Sequence, residues 1–160
     1  MIFVTIGTMF PFDRLIQTMD AWAKDHPEQQ VKCQIGTGSY IPEHMEYVRK
    51  YSQAEFSETV RTADLVVSHA GMGSVITAGR FGVPIVMIPR IKSKGEHTTD
   101  HQVATANWLR KKPGVFIADH HAELGGMVDY ALINGEKGNE LFTQYADSAF
   151  TDRLRDAILK

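Results

Sequence analysis

Residues 68–74 read Ser-His-Ala-Gly-Met-Gly-Ser and follow directly on the apolar run Leu65-Val66-Val67. A short apolar run that ends in a histidine and two glycines marks the C-terminal end of a strand, because glycine lets the backbone turn tightly and approach a ligand. If a helix follows, the free N–H groups of its first turn make the bend an anion site. The flanking sequence supports this strand–turn–helix reading. Strand candidates at 2–6, 31–35, 65–68, 84–88 and 115–118 are short and rich in apolar residues. Several lack strict apolar/polar alternation, as expected for strands covered on both faces. Helical candidates lie between them at 12–24, where Leu15, Ile16, Met19 and Trp22 share a face, and at 74–81, 99–111 and 122–133. Asp13 and Ser57 suit helix starts, 57–62 suits one short helical turn, and 54–56 suits a very short strand. Gly82 and Pro84 stop one helix and open the next strand. This βα alternation predicts an α/β fold: a parallel sheet with helices on both faces and right-handed crossovers.

A chain of 160 residues suits one well-buried core and is short for two. Residues 1–160 are therefore read as a single domain. Its helix-prone tail at about 136–160 is anchored by Leu141, Phe142, Tyr145, Phe150 and Leu154. A net charge of −2 supplies no basic field, so no nucleic-acid partner is expected. Cys33, the only cysteine, lies in the apolar run 31–35 and reads as a buried structural thiol in a reducing cytoplasm. No apolar stretch is long enough to span a membrane, and the N-terminal Met-Ile-Phe-Val-Thr-Ile-Gly reads as a first strand rather than a signal peptide. Trp22 and Trp108, each at helical spacing from apolar neighbours, are assigned to the core.

Ligands of open α/β sheets bind beyond the C-terminal strand ends. Four polar or glycine-rich stretches fall there: Gly7-Thr8, residues 36–39 starting at Gly36, residues 69–74 and residues 90–102. The run Gly71-Met72-Gly73-Ser74-Val75-Ile76 fails the dinucleotide fingerprint, since Ile76 holds the third glycine position. No glycine precedes Lys-Ser or Lys-Thr, and Val66 and Ala70 exclude a nucleophile elbow at Ser68. What remains is a two-glycine turn with Ser74 at a helix N-terminus, fit for a phosphate or diphosphate. In 95–102, Gly-Glu-His-Thr-Thr-Asp-His-Gln, His97 and His101 have the spacing of a metal pair. Thr98 stands where a zinc-protease motif needs glutamate, and no further Cys/His cluster supplies ligands, so hydrogen-bonding roles are preferred to a metal. Asp100 and Gln102 offer an acceptor and a mixed donor/acceptor to a hydroxyl-rich ligand, and Asp100 also suits an N-cap. Arg90, Lys92 and Lys94 would neutralise a diphosphate beside them, although loop cations are most often merely solvated. The pair His120-His121 reads as surface.

Three stretches taken together, 4–8, 54–90 and 95–106, resemble the C-terminal, nucleotide-sugar-binding half of glycosyltransferase family 28. The likeness covers about residues 1–118 and is greatest to single-half catalytic subunits of two-component, exopolysaccharide-type enzymes. It implies one Rossmann-like, doubly wound half of a GT-B architecture, a UDP-sugar as substrate, and no cofactor or metal. By position in the motifs, Gly71, Gly73 and Ser74 would grip the diphosphate, and Gly7 and Thr8 would line the same cleft. Phe56 and Ser57 would flank the uracil, and Asp100, His101 and Gln102 would face the transferred sugar. Gly36, Arg90, Glu96 and His97 complete the expected binding set. Thr77 stands where many relatives carry a ribose-binding glutamate. His69 is the best in-chain candidate for a general base, with a structural hydrogen bond weighed ahead of it, and the base is expected from a partner.

The resemblance further implies a membrane-anchored, acceptor-binding partner subunit and a lipid-linked saccharide acceptor. The chain would then be cytoplasmic and peripheral to the inner face of the membrane. Met9, Phe10 and Phe150 are candidate contacts for that partner. A stand-alone homo-oligomeric transferase and a non-catalytic nucleotide-binding scaffold are the alternatives.

Overall fold

The computed structural model describes residues 1–138 and 146–159. Six strands, β1 (Ile2–Thr5), β2 (Val31–Gln34), β3 (Glu46–Val48), β4 (Leu65–His69), β5 (Ile85–Ile88) and β6 (Val115–Ile117), form one all-parallel sheet. Their order is β3-β2-β1-β4-β5-β6, which reverses between β1 and β4 and makes the fold Rossmann-like and doubly wound. The helices are α1 (Asp13–Asp25), α2 (Gln53–Thr62), α3 (Met72–Arg80), α4 (His101–Leu109), α5 (His121–Asn134) and α6 (Ser148–Ile158). Successive strand residues point to opposite faces. Val4, Val67 and Val86 thus pack with Leu15, Met19, Leu124 and Val128 of α1 and α5. Phe3, Val66 and Ile85 pack on the other face with Val60, Val75, Ala78 and Leu109. Burial of both faces is why the strands show little polar alternation.

Three local expectations fail for identifiable reasons. Residues 54–56 are helical, not a strand, and the helix starts before Ser57. Ser52 Oγ accepts from the Glu55 N–H while the Glu55 carboxylate accepts from the Ser52 N–H, a capping box that sets the start of α2. Strand β3 was not expected: it is a three-residue edge strand, too short to show a period. Trp108 is 56% exposed, because α4 turns Gln102, Ala106 and Leu109 inward and leaves the indole under Lys112. Of the expected tail anchors, Leu141, Phe142 and Tyr145 lie outside the described residues. Phe150 and Leu154 sit half-exposed on α6, which has no buried residue. Cys33 is buried, and burial first, then the Asp20 charge, pushes its thiol up to about 12.

The path from β2 to β3 depends on a buried carboxylate. Asp20 of α1 is 2% exposed and accepts from Tyr40 Oη at 2.7 Å, the Glu43 N–H at 3.0 Å and the His44 N–H at 2.7 Å. Burial alone would raise its pKa, but the bonds from Glu43, Tyr40 and His44 outweigh it and hold Asp20 below the ordinary value. The same hydrogen bond, first among the causes, pushes Tyr40 up to about 12, so Tyr40 stays a proton donor. Asp20→Ala would leave two N–H groups and a phenol without their acceptor. It should destabilise the fold by about 2–4 kcal/mol, measured as a lower urea midpoint at unchanged slope.

Candidate functional site

A cavity of about 580 Å³ opens at the C-terminal ends of β1, β2, β4 and β5. Beneath it a row of polar side chains stands in register across the sheet, Gln34, Thr5 and Ser68, all buried, and Gln34 reaches the cavity lining. Two of them hold the first turn. Thr5 Oγ1 accepts from the Gly7 N–H at 3.2 Å, and Gln34 Nε2 donates to the Gly7 carbonyl at 3.1 Å. Gly7 has φ +75°, a conformation that glycine adopts without strain.

His69 ends β4 and lies against both glycine turns. A Cβ on Gly7 would stand 2.7 Å from His69 Cε1, and one on Gly71 would overlap Nε2. These two glycines therefore make room for the imidazole. Gly73 differs, because a Cβ there would meet nothing and would project into open space. Gly71 is the N-cap of α3 and offers no side-chain cap, so Gly73 and Ser74 line the cavity from an uncapped first turn. Such a turn combines unsatisfied N–H groups with the positive end of the helix dipole. Burial, and then the Arg90 charge, push His69 down to about 4, against an opposing hydrogen bond to the Thr5 backbone. His69 is accordingly a neutral ring and a weak proton acceptor.

Arg90 lines the cavity but spends its terminal N–H groups on the chain. Nη1 donates to the Pro11 and Glu96 carbonyls at 2.6 and 3.2 Å, and Nη2 to those of Ile6 and Phe10 at 2.7 and 2.8 Å. Its guanidinium also lies 4.6 Å from the Phe12 ring centroid. Burial lowers its pKa to about 10, with Glu96 opposing, so it remains cationic. Its charge reaches the cavity, while its terminal N–H groups build the wall. Gln102 Oε1 accepts from the Arg90 N–H at 3.1 Å. Gln102 also lines the cavity.

Eleven of the fifteen residues of the expected binding set meet at this cavity: Gly7, Thr8, Phe56, His69, Gly71, Gly73, Ser74, Arg90, His97, His101 and Gln102. Four stand apart. Glu96 takes both Nε and Nη2 of Arg14, at 2.6 and 2.8 Å, and the Ile91 N–H at 2.8 Å, pinning α1 to the loop after β5. Asp100 is the N-cap of α4 in position only, since its carboxylate accepts from the Lys92 N–H at 2.8 Å. Gly36 shapes a turn with φ +53°, and Ser57 lies within α2. His97 and His101 touch edge to face at 4.5 Å, and His97 also meets Phe10 at 5.0 Å. Among the described residues, no three His, Cys, Asp or Glu side chains gather to hold a metal ion.

Sequence reasoning missed Gln34 and the segment Lys50, Tyr51, Ser52 and Gln53, which line the end of the cavity near Phe56. The Ser52–Glu55 capping box was the available signal, for it places these residues at a helix start beside the sheet edge. A polar Gln34 between the apolar Cys33 and Ile35 was the other.

Residues 1–132 match the family model described as the glycosyltransferase family 28 C-terminal domain. The chain is similar to the human protein named UDP-N-acetylglucosamine transferase subunit ALG13, at 31% identity over 131 residues. That match takes in 72% of this chain and 11% of the human protein, so the chain spans about a tenth of the length of that relative. In fold it is similar to the crystal structure of the kitacinnamycin glycosyltransferase, with a TM-score of 0.64, 19% identity, and coverage of 98% of this chain and 37% of that one. It is also similar to the NMR solution structure of ALG13, with a TM-score of 0.62, 16% identity, and coverage of 96% and 93% respectively. The shared fold is the Rossmann-like half of a GT-B glycosyltransferase, as the sequence led us to expect.

The histidine wedge has a measurable consequence. Folded His69 takes up a proton only near pH 4, whereas an unfolded histidine does so near 6.5. Between these values the unfolded chain binds more protons, so stability falls as pH drops below about 6.5. From pH 7 to pH 5 the His69 share is about 2 kcal/mol. His97 and His121 are lowered too, so the test is a difference. His69→Asn should lose less stability than wild type between the two pH values in urea titrations, and equal losses would show that His69 is not held neutral.

Proposed function

Because the chain belongs to the glycosyltransferase family 28 C-terminal domain family, we propose that it is the nucleotide-sugar-binding subunit of a UDP-sugar-dependent glycosyltransferase. The observation that carries this reading is the uncapped first turn of α3, opened by Gly73 onto the cavity at the sheet edge. In this reading residues 1–160 act as one binding domain. The diphosphate meets the α3 turn, where N–H groups and the helix dipole stabilise the charge that develops as it leaves. An acceptor hydroxyl attacks the anomeric carbon, the carbon–oxygen bond to the diphosphate breaks, and UDP departs with the electron pair. His101 and the Gln102 amide lie on the β5 side of this turn, where the sugar would sit, and Phe56 lies on the far side with the nucleoside. His69, with its depressed basicity, suits positioning rather than proton abstraction. We assign the base that takes the hydroxyl proton to a partner subunit.

Two features support a membrane-associated, acceptor-binding partner. The human relative is named as a transferase subunit. Met9, 79% exposed, stands at the cavity rim, and α6 exposes Phe150, Leu154 and Ile158 at successive turns. No helix of the described residues is long and apolar enough to cross a membrane. The partner would bring a lipid-linked saccharide acceptor of polysaccharide synthesis to the site, holding this chain at the cytoplasmic membrane face.

The site is tested by Gly73→Val, whose side chain would enter the space proposed for the diphosphate. UDP affinity should fall by more than about tenfold with the fold retained, since even one lost charge-assisted contact is worth that much. Calorimetry showing unchanged UDP affinity in the folded variant would remove this site. Partner dependence is tested with purified chain, UDP-sugars and membranes that carry or lack the candidate partner. Transfer is expected only when both are present. Turnover by the isolated monomer on a soluble acceptor would overturn the two-component reading.

A further inference from the structure

The loop after β5 presents one hydrogen-bond donor that the described residues leave unused. The Thr99 N–H donates to His97 Nδ1 at 3.2 Å. A backbone N–H can only donate, so Nδ1 is the accepting nitrogen and the proton of the neutral ring sits on Nε2. Burial first, and then the charges of His101 and Arg90, hold His97 below the ordinary histidine value, so the ring is neutral near pH 7. Nε2 has no hydrogen-bond partner among the described residues and is open to solvent. The ring itself lines the cavity, held edge to face between Phe10 at 5.0 Å and His101 at 4.5 Å. His101 offers no such fixed donor, since its Nδ1 lies 2.6 Å from Thr99 Oγ1, a hydroxyl that can give or take the proton. Among the described residues no Asp or Glu lines the cavity, so the wall supplies no carboxylate for the Nε2 proton.

The neighbours of the ring say which acceptor it serves. Phe10, against which His97 is braced, belongs to the loop after β1. Burial and the Arg90 charge come first in holding His69 down, and His97 adds to them, so the rings at the ends of β4 and β5 share one field. His97 is thereby tied to the strand ends on either side of the α3 turn. With the diphosphate on that turn, the nucleoside toward Phe56 and the sugar toward His101, the phosphoryl group nearer the β5 loop is the β one, which carries the sugar. We propose that His97 donates its Nε2 proton in a hydrogen bond to the β-phosphoryl group of the bound nucleotide, so that the loop after β5 and the first turn of α3 hold the leaving diphosphate between them. Such a bond strengthens as negative charge builds on the departing phosphate. The inference rests on the nucleotide-sugar reading given above.

Calorimetry with UDP and UMP on wild type, His97→Phe and His97→Gln tests it. Phenylalanine keeps a ring beside Phe10 and His101 without the donor, and glutamine returns an N–H donor at a similar reach. His97→Phe should lose on the order of tenfold in affinity for UDP and less than about twofold for UMP, which lacks the β-phosphoryl group. His97→Gln should bind UDP more tightly than His97→Phe, and a glutamine no better than phenylalanine would overturn the donor role. Equal losses for UDP and UMP would mean that His97 only shapes the cavity, and unchanged UDP affinity with weaker binding of UDP-sugars would move the contact to the sugar. Either result overturns the proposal and leaves the nucleotide reading intact, whereas failure of wild type to bind UDP at all removes both. Should His97→Phe not fold by circular dichroism, His97→Ala is read in the same way.

Discussion

A neutral imidazole pressed between two glycine backbones sets the spacing of the strand ends on which the cavity stands. His69 occupies the volume that side chains at positions 7 and 71 would fill, so the turns after β1 and β4 approach no closer than its ring allows. Beneath that wedge, Thr5 and Gln34 take the N–H and the carbonyl of Gly7, and Ser68 Oγ donates to the His69 carbonyl at 2.9 Å. Each contact is an ordinary hydrogen bond. Together they leave the central pair of turns almost no freedom. The wedge holds only while the ring is neutral, because a charged imidazole would be buried beside the Arg90 guanidinium.

Arg90 supplies the second constraint and explains how a buried cation is tolerated. Four carbonyl oxygens and the face of Phe12 surround it, replacing water with fixed dipoles. Three of those carbonyls, from Ile6, Phe10 and Pro11, bracket the loop after β1, so the cation straps that loop to the end of β5. The polar stretch 90–102 thus divides by what its side chains touch. Glu96 and Asp100 hold backbone and helix in place, while His97, His101 and Gln102 line the cavity. Spacing alone does not separate the two groups, since all are polar and close in sequence.

That division shows how much of the molecule was legible. The apolar runs of β1, β2, β4, β5 and β6 announced themselves because each is buried on both faces, and the glycine turn after β4 located the cavity. Edge strand β3 left no such mark, since Glu46 and Tyr47 are exposed and three residues carry no period. Phe56 looked strand-like in isolation, yet the Ser52–Glu55 capping box decides its conformation through contacts three residues apart. The purpose of Gly7 and Gly71 was legible only in half. Sequence identifies a place where a side chain is not tolerated, but the obstacle proves to be His69 for these two and open space only at Gly73. Arg90 shows the same limit, because the sign of its charge is written in the sequence and its four carbonyl partners are not.

The strapped loop also links the two halves of the proposed function. Its residues Gly7, Thr8, Met9 and Phe10 all line the cavity, and Phe10 is braced against His97. Met9 stands at the rim with most of its surface exposed, next to Phe10, whose carbonyl Arg90 holds. A surface that is already ordered loses little conformational entropy when another molecule covers it. A partner subunit docking on Met9 would therefore meet a rim held in place by Arg90, at the edge of the cavity proposed for the nucleotide. In a two-subunit transferase built this way, docking and completion of the reaction site are one event. The wedge and strap that shape the cavity also fix the backbone beneath the surface on which the proposed acceptor half would land.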